Sequence, residues 1–151
     1  MSRPLAYTVD VRRLDEFSAA DLYDMLKLRV DVFVVEQHCP YPELDGNDID
    51  CLHLRLLDGD HLLACARLWR PTPEHHPRIG RVAVSPDHRG KRLGEALMRE
   101  AIAEVEKRHA GEPIEISAQS HLQKFYGSLG FEVISEEYLE DDIPHVEMVR
   151  K

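Results

Sequence analysis

Positions 78–105 constrain the fold more than any other stretch of the chain. "RIGRVAV" at 78–84 reads as a strand closed by Ser85-Pro86, and "DHRGKRLGEALM" follows, with Gly90 and Gly94 set among Arg89, Lys91 and Arg92. Beyond that turn Leu93, Leu97, Ala101 and Val105 recur as one stripe flanked by Met98 and Ile102. This spacing predicts an amphipathic helix that ends near Gly111-Glu112-Pro113. A strand feeding such a helix through a tight turn must lay the helix stripe on a sheet, so the chain belongs to the α/β class. The turn also has the makings of an anion site. A helix N-terminus exposes unpaired N–H groups and a partial positive charge, and glycine lets a ligand approach the backbone closely. Three cations there stand out in a chain whose formal net charge is −9. Neither the P-loop pattern nor the dinucleotide G-x-G-x-x-G is present. A glycine pair that merely tightens the turn is the competing explanation.

The remaining segments fill out a mixed domain. "YTVDVRRL" at 7–14 alternates as a first strand. Ser18 is placed to cap a helix over 19–34, which the β-branched run Val30, Val32, Val34 and Val35 weakens late. Pro40, Pro42 and Asp45-Gly46-Asn47 make 36–50 a loop. "CLHLRLL" sets Leu52, Leu54 and Leu56 on one face and Cys51, His53 and Arg55 on the other. Asp58-Gly59 then signals a hairpin to a return strand at 61–69. "IEISA" reads as a strand, "HLQKFYGSLGF" as a short helix stopped by Gly130, and "EVIS" and "HVEMVR" as closing strands around an acidic turn. The predicted order is β-α-β-β-β-α-β-α-β-β.

At 151 residues the chain suits a single domain over 1–151. No apolar run reaches the ~18 residues of a membrane span, and the start of the sequence lacks the pattern of a signal peptide. The acidity argues against nucleic-acid and membrane partners. Cys39, Cys51 and Cys65 have no C-x-x-C spacing, which fits reduced, structural thiols in a cytoplasmic protein. His75 and His76 lack partners at metal spacing, so no metal is expected. The acids Glu36, Glu43, Asp45, Asp48 and Asp50 form either a rim that attracts a cationic amine or a solvated loop.

The strand "RVAV", Ser85-Pro86 and "HRGKRLGEALM" together resemble the acetyl-CoA motif of the GCN5-related N-acetyltransferase (GNAT) superfamily, Q/R-x-x-G-x-G/A. "RVDVFVVEQHCPYPELDGND" with His53 downstream, "AQSHLQKFYGSLGF" and "EEYLEDDIPHVEM" resemble its ElaA-like branch. The resemblance implies the GNAT fold, a mixed and mostly antiparallel sheet of six to seven strands flanked by helices. It also implies direct transfer of acetyl from acetyl-CoA, as co-substrate, to a primary amine. The acceptor would be a small molecule or a peptide, and a homodimer is common in the superfamily. Coenzyme A would lie along Val82, Ala83 and Val84 and over the loop Arg89, Gly90, Lys91, Arg92, Leu93 and Gly94. Arg92 stands where the general motif has glycine, so its side chain either crowds the loop or reaches a phosphate. Tyr126 matches the tyrosine that many members place near the thioester sulfur, and the Val84 N–H the oxyanion donor. The coenzyme strand lacks the glutamate many relatives use as base, which leaves Glu36, His53, His145 or a water. A non-catalytic acyl-CoA binding or sensing module with the same fold is the alternative.

Overall fold

Gly59 and Asp60 form the two-residue turn that sets the register of half the sheet. Gly59 has φ +59° and Asp58 pairs with His61, the geometry of a type II′ hairpin. The computed structural model describes residues 6–151. The turn joins β2 (Cys51–Asp58) to β3 (His61–Trp69), with β1 (Thr8–Arg13) on the outer side of β2 and β4 (Arg78–Val84) beyond β3. Next in space come β5 (Ile114–Gln119), β8 (Ile143–Arg150) and β6 (Glu132–Val133), with β7 (Tyr138–Glu140) also on β8. Every pairing is antiparallel except β4 with β5.

Among the described residues the sheet thus has eight strands rather than six to seven. The addition is β7, inside the segment expected to be only an acidic turn. Asp141 and Asp142 both take left-handed φ values, +52° and +63°, and close a tight hairpin between Glu140 and Ile143. Aspartate tolerates that conformation better than most residues, which is why a charged pair can turn the chain here.

Helices cover both faces. On one, α2 (Leu93–Arg108) buries Leu93, Leu97, Met98, Ala101, Ile102 and Val105 against Leu54, Leu56, Ile114 and Ile116 of the sheet. The short α3 (Gln123–Gly127) extends that core through Tyr126. On the other face α1 (Ala19–Val30), capped by Ser18 through a 3.1 Å bond from the Asp21 N–H, packs Met25 and Leu28 on Cys65 and Ala83. The helix does not break at its β-branched run but widens into a π-helical stretch over Asp31–Glu36. Such wide turns gather at functional sites, and this one presents Val32, Phe33 and Val34 to the central cleft.

Between α1 and the sheet the apolar packing gives way to ions. Arg29, 1% exposed, donates from Nε to Glu43 at 2.7 Å and from a terminal nitrogen to Asp48 at 2.8 Å. Arg67 reaches Asp45 at 2.9 Å and Asp48 at 3.2 Å, and Arg81 lies 2.9 Å from Glu43. Three arginines therefore neutralise three loop carboxylates. Glu43, Asp45 and Asp48 form neither a rim for a cationic amine nor a solvated loop. They fasten the loop onto the α1 face of the sheet.

Candidate active site

The cleft arises where β4 and β5 part. These parallel strands share one pairing, Arg78 with Glu115, and then diverge. A bulge helps to drive them apart. Between the pairs Cys65–Ala83 and Arg67–Gly80, β4 spends two residues against one on β3, and Arg81 takes φ +49°. The resulting cavity, about 240 Å³, is walled by Gly80 to Val82 on β4, Ile116, Ser117 and Gln119 on β5, and the π-helical stretch. Tyr126, Glu140, Asp141 and His145 complete it.

One end of the parted strands leads to the cationic turn. Gly90 has φ +81° and Arg92, at the N-cap of α2, φ +58°. The left-handed backbone explains why glycine suits position 92 in the general motif, and Arg92 holds it at modest strain with an exposed side chain. The first intrahelical bond runs from the Ala96 N–H to the Arg92 carbonyl, 3.1 Å, and no side chain caps the helix. The N–H groups of Leu93, Gly94 and Glu95 therefore have no helical acceptor, as an anion site requires. A Cβ on Gly94 would meet nothing closer than Phe125 at 3.9 Å and Val84 at 4.0 Å. Internal packing thus does not demand glycine there, whereas close approach of a ligand would.

Arg89 is already engaged. Its guanidinium grips Glu36 with two bonds of 2.5 and 2.7 Å and touches the Val84 carbonyl at 3.3 Å. Lys91 and Arg92 have no carboxylate partner among the described residues, so they are the cations open to a phosphate. The hydrogen bond from Arg89 holds the Glu36 carboxyl below its usual range. A carboxylate so stabilised, and outside the cleft lining, is a poor proton acceptor, and Glu36 is set aside as a base. His53 is also misplaced for that role. It is 1% exposed beneath α1, its Nε2 lies 2.9 Å from the Asp48 carbonyl, and burial pushes its pKa down.

Tyr126 and His145 do reach the cleft. The Tyr126 ring stands edge-on to Phe125 and Phe131, and burial alone pushes its phenol up to about 12. Its hydroxyl has no hydrogen-bond partner among the described residues. His145 stacks on Tyr138, and its Nδ1 lies 2.7 Å from the Ile143 carbonyl. That carbonyl can only accept, so Nδ1 carries the proton and Nε2 presents a lone pair in the neutral ring. On β4 the Ser85 N–H bonds the Leu63 carbonyl at 2.8 Å, and strand alternation turns the Val84 amide away from β3, toward the parted side. Val82 lines the cleft, while the Ala83 side chain is buried against α1, so Ala83 contributes backbone only.

Comparison with known proteins agrees with this architecture. Residues 34–151 match the model of the acetyltransferase (GNAT) domain, and the chain belongs to that family. It falls in the ElaA-like branch. It is 42% identical over 139 residues to protein ElaA of Escherichia coli, covering 90% of this chain and 91% of that one. The crystal structure of Escherichia coli ElaA superposes with TM-score 0.88 at 37% identity, over 97% of this chain and all of that one. An acyl-CoA N-acyltransferase from Pseudomonas aeruginosa superposes with TM-score 0.91 at 42% identity, over 97% and 100% of the two chains.

Proposed function

We propose that this protein is an acetyl-CoA-dependent N-acetyltransferase that acts on a primary amine by direct transfer. The observation that carries the reading is the joining of two features along β4. An uncapped helix N-terminus with free cations lies at one end, and a cleft holding an unpartnered phenol and an imidazole lone pair lies beside it. The name of the Pseudomonas aeruginosa relative supports the acyl-CoA chemistry. Acetyl-CoA supplies a thioester whose C–S bond is exchanged for the C–N bond of the product amide.

The residues divide the work as follows. The N–H groups of Leu93, Gly94 and Glu95, with Lys91 and Arg92, hold the pyrophosphate, and the open edge of Val82 to Val84 pairs with the pantetheine arm. His145 Nε2 takes the proton that the attacking nitrogen gives up. The Val84 N–H donates to the carbonyl oxygen as charge gathers there. Tyr126 donates to the sulfur as the C–S bond breaks. Solvent carries the proton balance between the two side chains. The three buried, unpaired thiols suit a reducing compartment, and we place the protein in the cytoplasm.

The test is a thermal-unfolding scan of wild type and Gly94→Ala. Acetyl-CoA at ~100 times its dissociation constant stabilises the native state by ~2.7 kcal/mol, which raises Tm by roughly 5–10 °C in a chain of this size. ATP and NAD at the same concentration give no such shift. Gly94→Ala alone matches or slightly exceeds wild-type stability, because alanine is the better helix former, and it loses most of the acetyl-CoA shift. An equal shift in the variant removes the loop from coenzyme binding.

A further inference from the structure

We propose that the acceptor is a small amine bearing a second cationic group, a diamine or polyamine, and that Glu140 and Asp141 bind the second charge. The inference rests on the transferase reading and narrows it.

The charges facing the cleft carry the argument. Of its carboxylates, Glu43 is spent on Arg29 and Arg81. Glu140 and Asp141 have no arginine or lysine partner among the described residues. The contacts of Glu140 are the His145 Nε2 at 3.4 Å and the Ser117 hydroxyl at 3.5 Å. Arg81, the one arginine or lysine of the lining among the described residues, is committed to Glu43 and Asp45. Glu140 and Asp141 therefore carry negative charge that no arginine or lysine among the described residues compensates. Nor do these carboxylates hang on a loose turn. The Tyr41 hydroxyl donates to Asp142 at 2.5 Å and the Cys39 thiol lies 3.5 Å from the Asp141 carbonyl, clasping the hairpin to the neighbouring loop.

A second observation ties this charge to the reacting end. Tyr126 and His145, each at least nine-tenths buried, line the same cavity. Among the described residues the Tyr126 hydroxyl has no partner, and the His145 Nε2 makes no hydrogen bond beyond its approach to Glu140. Reactive groups and anionic groups thus share about 240 Å³, and Val32, Phe33, Ile116 and Leu122 add apolar surface to the same wall. The space suits a short chain of methylenes that carries two nitrogens.

Chemistry favours two nitrogens over one. The attacking amine must be neutral, yet carboxylates nearby stabilise its inert ammonium form. A monoamine would be held in that form by Glu140 and Asp141. In a diamine the second ammonium occupies the carboxylates and leaves the first nitrogen free to lose its proton to His145.

The test compares 1,4-diaminobutane with n-pentylamine, which has the same number of heavy atoms and a methyl in place of the second nitrogen. With saturating acetyl-CoA, kcat/KM for the diamine should exceed that for n-pentylamine by ~30-fold or more, as expected for a charge-assisted hydrogen bond. The advantage should shrink with added salt. In the double variant Glu140→Gln with Asp141→Asn, which keeps side chains that suit the turn, the ratio should collapse toward unity while the acetyl-CoA-induced Tm shift survives. Equal use of the two amines overturns the proposal, as does a preference that persists in the double variant. Failure to acetylate either amine while acetyl-CoA still raises Tm also overturns it and leaves the coenzyme site standing. Loss of that Tm shift in wild type would instead bring down the transferase reading beneath it.

Discussion

Arg29→Met should destabilise the protein by about 3–5 kcal/mol, as expected when one partner of a buried ion pair is removed. Arg29 is 1% exposed and holds Glu43 and Asp48 with bonds of 2.7 and 2.8 Å. Methionine fills much of the volume but leaves those carboxylates short of a counter-charge in a region with little access to water. Such a loss is a large share of the total stability of a typical domain. Chemical denaturation of the two proteins measures it directly. Lys27→Met is the control, because Lys27 pairs with Asp31 on the exposed side of the same helix and its loss should leave the midpoint essentially unmoved.

The two aspartates of the same network set a pH dependence, while burial pushes the Glu43 carboxyl the opposite way, above its usual range. Burial opposes ionisation of Asp48, but hydrogen bonds from Arg29 and Arg67 outweigh it and hold the carboxyl below its usual range. Asp45 is depressed in the same direction, chiefly by Arg67 against the opposing effect of burial. A folded-state pKa below the unfolded one means that the unfolded chain binds protons first as pH falls. Their contribution is therefore complete above the unfolded value of ~4 and disappears as pH drops through the folded one. Arg29→Met should flatten this acid limb as well as lower the plateau. A variant that unfolds at the wild-type midpoint would show that the network is dispensable.

The second large effect is on turnover. Tyr126→Phe should lower kcat about 100-fold, within the range for loss of a positioned acid, and leave acetyl-CoA affinity within about two-fold. Burial that pushes the phenol up to about 12 keeps it protonated throughout the neutral range. A thiolate leaving beside this buried ring would have little solvent to stabilise it. Its demand for a hydrogen bond thus grows as the C–S bond breaks. Among the described residues the hydroxyl has no competing partner to give up. Phenylalanine keeps the ring packed on Phe125 and Phe131, so stability should barely change. Thiol release in single-turnover experiments separates this chemical effect from product release. Unchanged kcat would leave Tyr126 a packing residue.

Much of the architecture was legible in the sequence because period and punctuation agree there. The stripe from Leu93 to Val105 and the leucine alternation of β2 lead to the observed α2 and its core. The Asp58-Gly59 signal found its hairpin with the turn one residue later, at Gly59-Asp60. The helix over 19–34 exists, but periodicity has no signature for a π-helical end, which tertiary packing decides. β7 was missed because Asp141-Asp142 reads as charge rather than as a turn. The apolar Tyr138 and Leu139 before the pair and Ile143 after it were the available clue.

The site divides along a similar line. The proposed coenzyme loop is local, so one contiguous segment carries its whole signal. The acceptor side is assembled from four separated segments, and which face of β2 a buried helix covers cannot be read from β2 itself. His53 was therefore a fair candidate until α1 was seen to cover it. Glu36 failed for a long-range reason, its pairing with Arg89 fifty-three residues away. Glu43, Asp45 and Asp48 looked like a surface rim because their arginines lie on α1, β3 and β4.

The central claim is that acetyl moves from acetyl-CoA to an amine in this cleft. It is tested most directly by incubating the protein with acetyl-CoA and 1,4-diaminobutane and measuring both free thiol and acetylated amine. Equal amounts of the two products, formed with turnover and reduced about 100-fold by Tyr126→Phe, are the predicted result. Stable binding of acetyl-CoA without thiol release, across a panel of primary amines that includes peptides, would contradict it. The fold would then be serving as an acyl-CoA sensor.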